Sequence, residues 1–149
     1  MFLATVKVCD DNIEPQEFPG THEKVSIRFK TATINGGPHG NMCSTKYVRD
    51  DWKNNGWARG SATTYTPNEL GSCIWFRPIR GSLKAKFLLK RDWLSKFLND
   101  GPDPLKICKL VVSFSNNPRI RTHWEWCGAK VVSRNDKESE NWITLDKVH

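Results

Sequence analysis

The chain has 149 residues, 38 % of them hydrophobic and 26 % charged, a length and mix that support one core-forming domain and exclude a disordered chain. Its formal charge of +7 favours anionic partners: nucleic acid, anionic lipid or acidic protein. No apolar run approaches the roughly 20 residues a membrane helix needs, so no membrane partner is expected.

The charge is unevenly placed. Residues 1–23 hold one lysine against five acids, residues 24–60 seven bases against two acids, and residues 77–109 nine bases against three acids. Phe2 to Cys9 alternates enough to predict a strand. It begins almost at the first residue, which suits an edge strand or a fragment cut from a longer chain. Residues 10–23 carry acids, two prolines and a glycine and read as a loop. Lys24 to Lys30 is the clearest period-two strand, with Val25, Ile27 and Phe29 facing a core and Lys24, Arg28 and Lys30 facing out.

Residues 35–61 are rich in glycine and asparagine, and so long a loop often carries function. Within it, Arg49 to Gly60 interleaves bases with aromatics. Trp52, Trp57 and Arg59 are therefore candidate partner-binding residues, suited to anchoring a protein or stacking on bases or sugars. The competing expectation is that both tryptophans cap the core. Cys73-Ile74-Trp75-Phe76 predicts a buried strand ended by Pro78. Leu83 to Leu89 predicts another. Arg77 and Arg80 join the candidate binding residues, because with Lys84 and Lys86 they would make a phosphate-binding stripe if they share one face.

Arg91 to Asn99 predicts a short helix, since Trp93, Leu94, Phe97 and Leu98 fall on one face. Gly101 and Pro102 would stop it. Leu105 to Phe114 and Trp124 to Ser133 predict strands flanking a turn at Asn116-Asn117-Pro118. In the second of these, Gly128-Ala129 predicts a close approach to another layer. Trp142 to Leu145 predicts a last short strand. The sum is a mostly β chain: a single antiparallel β-sandwich, jelly-roll-like, over residues 1–149, with a DNA-binding pseudobarrel as the competing architecture.

Catalytic motifs are absent: no GxSxG, HExxH or P-loop occurs, so no enzyme activity, catalytic residue or cofactor is expected. His39 and Cys43 lie four apart, but two ligands do not make a metal site, and no metal is expected. The five cysteines are odd in number and widely spaced, with no CxxC pair. They predict reduced thiols, Cys108 and Cys127 among them buried. The N-terminus lacks a basic region followed by a long apolar stretch. The expected location is cytoplasmic or nucleo-cytoplasmic.

Four stretches together resemble a known family. Lys24-Val25-Ser26-Ile27-Arg28-Phe29-Lys30, Ser72-Cys73-Ile74-Trp75-Phe76-Arg77-Pro78, Leu110-Val111-Val112-Ser113-Phe114 and Cys127-Gly128-Ala129-Lys130-Val131-Val132 with Asn135-Asp136 follow the order of strands in one domain. This is the C-terminal jelly-roll (post-LRR, C-JID) domain of plant TIR-type nucleotide-binding leucine-rich-repeat immune receptors. The chain departs from that pattern in lacking the proline-tryptophan-phenylalanine entry strand and the histidine before the tryptophan strand. The resemblance implies a non-enzymatic recognition module that binds a pathogen effector protein together with adjacent receptor domains, in plant immunity and disease resistance. No contact residue carries over from it. The alternatives are a basic nucleic-acid-binding β domain and a glycan-binding jelly roll.

Overall fold

Strand-forming residues dominate the computed structural model, which describes residues 1–15, 17–31, 41–49, 57–78, 82–91, 101–117 and 120–148. The strands are β1 (Phe2–Val8), β2 (Lys24–Thr31), β3 (Met42–Ser44), β4 (Ala62–Thr64), β5 (Leu83–Lys90), β6 (Leu105–Asn117), β7 (Ile120–Val132) and β8 (Ile143–Lys147). They form one antiparallel sheet of eight strands in the order β3-β2-β5-β8-β7-β6-β1-β4. The predicted helix at 91–99 falls almost wholly outside the described residues. Among the described residues the helical element is a 3-10 turn, η1 (Gly71–Trp75).

Alternation decides which face is buried. Phe2, Ala4, Val6 and Val8 of β1 point inward, as do Val25, Ile27 and Phe29 of β2 and Leu83, Ala85, Phe87 and Leu89 of β5. In β6 the inward set changes parity, from Leu105 and Ile107 to Leu110, Val112 and Phe114. The cause is a bulge: the pairing slips between Ile107 and Lys109 on the β7 side and between Lys7 and Val8 on the β1 side. Opposite β1, Cys108 is the inserted residue of β6, whereas opposite β7 the extra residue is β7's own, Gly128 and Ala129 standing against Cys108; one extra residue reverses the faces of everything beyond it.

The sheet curls, as a twisted sheet of this width does. The ring of Phe2 in β1 lies edge-on to Phe29 in β2, 5.1 Å between centroids. The Tyr65 hydroxyl, just after β4, donates to the Val25 carbonyl at 2.7 Å. Burial pushes that phenol well above the usual tyrosine range. β8 sits at the bend: Ile143 to Leu145 pair with β5, whereas Asp146 and Lys147 pair with β7.

Two expectations are corrected here. Cys73 to Phe76 is not a buried strand. Gly71 turns the chain at φ 56°, and the 3-10 repeat then buries Leu70, Cys73 and Phe76 at every third position while leaving Ile74 and Trp75 exposed. The cysteines are not all free thiols. Cys9 is bonded to Cys108 and Cys43 to Cys73, each pair with Cα atoms 5.0 Å apart, inside the range a disulfide requires. Cys127 is a free cysteine and is exposed, and Cys108 is half-buried. Pairing across strands put the partners together, which spacing along the chain does not reveal. Gly128 is exposed too; a Cβ there would meet the Trp126 ring at 2.9 Å rather than a second layer.

The edge strands are short, three residues each, which limits unwanted pairing. β3 is also covered. Ser72 of η1 hydrogen-bonds both the amide and the carbonyl of Ser44, and the Lys46 amide donates to the Glu69 carbonyl at 2.9 Å.

Candidate functional site

Three connections meet at one end of the sheet: residues 18–23 before β2, 57–60 before β4, and 101–103 before β6. They enclose a cleft of about 570 Å³, within the size range of ligand sites. Its backbone is held tightly. A Cβ on Gly20 would lie 2.3 Å from the Trp57 carbonyl oxygen, so the close approach of the two segments requires glycine. The Thr21 amide donates to that same carbonyl at 3.1 Å. The Thr21 hydroxyl donates to the Asp103 carbonyl at 2.7 Å, and the His22 amide to the Asp103 carboxylate at 2.7 Å.

Glu23 lines this cleft and is 1 % exposed. Its Oε2 accepts from the Asp103 amide at 2.7 Å and from the Arg134 guanidinium at 3.0 Å. Its Oε1 is buried with no hydrogen-bond partner. A buried acceptor left unmatched costs on the order of 1–3 kcal/mol, and Glu23 carries that cost as a residue that lines the cleft. At the rim, Phe18 is 71 % exposed. The Arg59 guanidinium lies 5.7 Å from its ring centroid and also donates to the Asn12 side chain. The cleft thus offers an apolar ring, a cation and a buried carboxylate.

The candidates from the sequence are dispersed. Arg59 lies at the cleft. Trp57 does not present its ring to a partner: it is fully buried, its indole N–H donates to the Val48 carbonyl at 2.8 Å, and its ring packs 6.1 Å from Tyr65. This correction supports the competing expectation of a core tryptophan. Its backbone nonetheless shapes the cleft through Gly20 and Thr21. Arg77 is exposed just beyond η1 and does not line the cleft. Trp52, Arg80 and His39 lie outside the described residues. Glu23, His22, Asp103 and Phe18 were missed. The acidic excess of residues 1–23 was visible, but nothing local distinguished Glu23 from a solvated acid.

The basic stripe takes a different form from the expected one. Across β2 and β5, Lys24 faces Lys90, Arg28 faces Lys86 and Lys30 faces Lys84. Like charges placed directly opposite repel, and the chain supplies counter-groups. Lys86 is 1 % exposed, and its ammonium donates to the carbonyls of Lys137 and Glu138. Glu138 pairs with Arg28, which holds its carboxyl below the usual carboxylate range. The Lys30 ammonium lies 3.9 Å from the Trp142 ring centroid and that of Lys90 5.6 Å from the Tyr47 centroid. The acidic stretch before β8 therefore already covers the middle of the ladder.

Comparison with protein-family models finds no match, and a search of curated proteins finds none. Among the described residues no helix is long and apolar enough to cross a membrane.

Proposed function

We propose that this chain is a non-enzymatic recognition module that takes a segment of a partner protein in the cleft between Phe18, Glu23 and Arg59. The single observation that carries this reading is the buried, unmatched Oε1 of Glu23, a residue lining the same cleft as the exposed ring of Phe18. A donor side chain, an amide or a lysine or arginine of the partner, would complete the carboxylate, and an apolar neighbour would cover Phe18. Exposed aromatics and arginine are the residue types that anchor protein interfaces.

The resemblance to the post-LRR domain of plant immune receptors agrees with this role, and a pathogen effector is the partner it implies. The jelly-roll-like sandwich belongs to the same proposal; support comes from the way β1 and β2, far apart in strand order, meet through Phe2 and Phe29.

Selection of displayed random peptides on the folded protein tests this. Enriched peptides should carry a basic or amide side chain next to an apolar one, and Glu23→Gln and Phe18→Ala should each weaken their binding by about tenfold, or 1.4 kcal/mol. Failure to enrich any peptide, or equal binding by Phe18→Ala, whose exposed ring is not needed for folding, would overturn the proposal.

A second reading rests on the six cations of β2 and β5: a nucleic-acid-binding face. It ranks lower because Arg28 and Lys86 are already engaged by the chain. Salt separates the two, since phosphate contacts give a steep loss of affinity with rising salt.

A further inference from the structure

On the face turned away from the core, β2 and β5 set six cations in three facing pairs. Residues 133–142, the connection from β7 to β8, meet the middle pair, Arg28 and Lys86, with oxygens. The Glu138 carboxylate pairs with Arg28, and the Lys137 and Glu138 carbonyls accept from the Lys86 ammonium, the first at 2.8 Å. The Lys30 ammonium lies 3.9 Å from the Trp142 centroid. No residue of this connection is buried or belongs to the core. Its turns are closed within itself: the Ser133 amide donates to the Asp136 carboxylate at 2.9 Å and the Glu140 amide to the Lys137 carbonyl at 2.9 Å. Charges therefore tie it to the ladder, and salt or a competing anion weakens such ties. Lys86 is the odd member, 1 % exposed with neutral carbonyls as its hydrogen-bond acceptors. Burying an ammonium is costly, and an apolar side chain of similar volume would hold a permanent cover at least as well. A cation at that position suits a second state in which an anion faces it.

We infer that the outer face of β2 and β5 is a seat for the phosphates of single-stranded nucleic acid, and that residues 133–142 are a strap occupying this seat until such a strand displaces it. The inference deepens the nucleic-acid reading above and rests on it; it does not depend on the cleft. One carboxylate and two carbonyls around an Arg–Lys pair hold the places that phosphate oxygens would take. The aromatics favour nucleic acid over other polyanions. Trp142 stands beside Lys30 at one end of the ladder, and Tyr47, 42 % exposed, stands beside Lys90 at the other. A cationic track with rings on which bases stack is the arrangement that single-strand binders use. Arg134, at the start of the strap, pairs with Glu23; that contact pins the β7 end and leaves residues 136–142 as the part that lifts. Lifting gives Arg28 and Lys86 to phosphates and Trp142 to a base.

The test titrates the whole protein into a fluorescent oligothymidylate of about ten nucleotides and follows anisotropy at several salt concentrations. Glu138→Gln, at a side chain 79 % exposed, cuts the strap's ion pair. Glu140→Gln removes the same charge where the carboxylate faces the Lys137 amide. Glu138→Gln should bind about tenfold more tightly than the wild type or Glu140→Gln, with a salt slope steeper by about 1.4, for two added phosphate contacts on a single strand. Acetylation of Lys86, mapped by mass spectrometry, should speed up in Glu138→Gln and stay slow in Glu140→Gln. Lys86→Met added to Glu138→Gln should take back the gain in affinity; if that pair of changes prevents folding, Arg28→Gln gives the same reading. Tyr47→Ala should weaken oligonucleotide binding at least about fivefold through lost stacking and leave binding of heparin, which has no bases, unchanged. No binding by Glu138→Gln would overturn the nucleic-acid reading and the inference with it. Equal affinity and equal salt slope in the wild type, Glu138→Gln and Glu140→Gln would keep the basic face as a binding face and overturn the strap. Equal loss of heparin and oligonucleotide on Tyr47→Ala would overturn the assignment to nucleic acid.

Discussion

The two disulfides are the same bond in opposite settings. Cys43–Cys73 ties β3 to η1, and both residues are buried in the core. In Cys9–Cys108, which ties β1 to β6 at a bulge, Cys9 is equally buried, but Cys108 is half-buried and lies beside an exposed third cysteine and an aspartate. The contrast separates two properties often treated as one. How much a cross-link stabilises depends mainly on the loop it closes in the unfolded chain, whereas whether reagents reach it depends on the folded surface.

The largest effect sharpens this separation. Residues 9 and 108 are 99 apart, and loop-closure entropy assigns such a link about 4.7 kcal/mol. The pair 43 and 73 is 30 apart, for which the same account gives roughly 3–4 kcal/mol. Denaturant unfolding of the two paired cysteine-to-alanine variants should therefore rank the Cys9–Cys108 bond first. A reversed order would show that packing around Cys43 and Cys73 outweighs loop closure.

Trp57→Ala should cost about 3–5 kcal/mol, because the ring is fully buried and the indole hydrogen bond to Val48 is lost. Trp75→Ala, on the exposed side of η1, should stay within about 0.5 kcal/mol. Thermal melts of both variants settle whether η1 uses its tryptophan for packing.

Two glycines extend the comparison between the same regions. Gly71 has positive φ, and a Cβ would meet the Ser44 carbonyl oxygen at 2.7 Å. Its replacement by alanine should cost about 1–2 kcal/mol, since backbone rather than a side chain must give way. At Gly128 the obstacle is the edge of the Trp126 ring. Gly128→Leu should lose no more than about 1 kcal/mol in the same melts, as exposed substitutions usually do.

Alkylation under increasing reductant should modify Cys127 first, Cys9 and Cys108 next, and Cys43 and Cys73 only on unfolding. Mass mapping of labelled peptides reads the order, and early labelling of Cys43 would break the contrast. The smallest effect is on acidification. Lys106 holds the Asp11 carboxyl down, chiefly through their hydrogen bond, and Arg28 does the same for Glu138. A carboxyl whose folded pKa lies below its unfolded value stabilises above the unfolded value and loses that contribution as pH falls through the folded one. Both contacts should thus weaken below about pH 4. Carboxyl titration by NMR should give midpoints under those of free peptides; midpoints at or above them would contradict the ion pairs.

Much of the sheet was legible because alternation is a local signal. Val25, Ile27 and Phe29 declared β2, and Leu83 to Leu89 declared β5. β3 and β4 escaped notice because three residues carry no period. η1 was misread because Cys73 to Phe76 is as apolar as a strand, and only a turn at Gly71 converts it to a repeat of three. The cleft was hardly legible: Arg59 was singled out for composition, but Glu23 acquires its burial from Asp103 and Arg134, residues 80 and 111 positions away. The disulfides were illegible for the same reason, since strand pairing between distant segments decides them.

The position of β8 at the bend sets an order of events during synthesis. In the sheet β8 lies between β5 and β7, and it leaves the ribosome after both. Until it emerges, the two parts of the sheet have no strand between them, and the inner ends of each stay unpaired. β1 likewise waits for β6 to be made, with Phe2 paired to Phe114. Such distant pairing is slow to form, and a nascent chain with open strand edges is a natural client for chaperones.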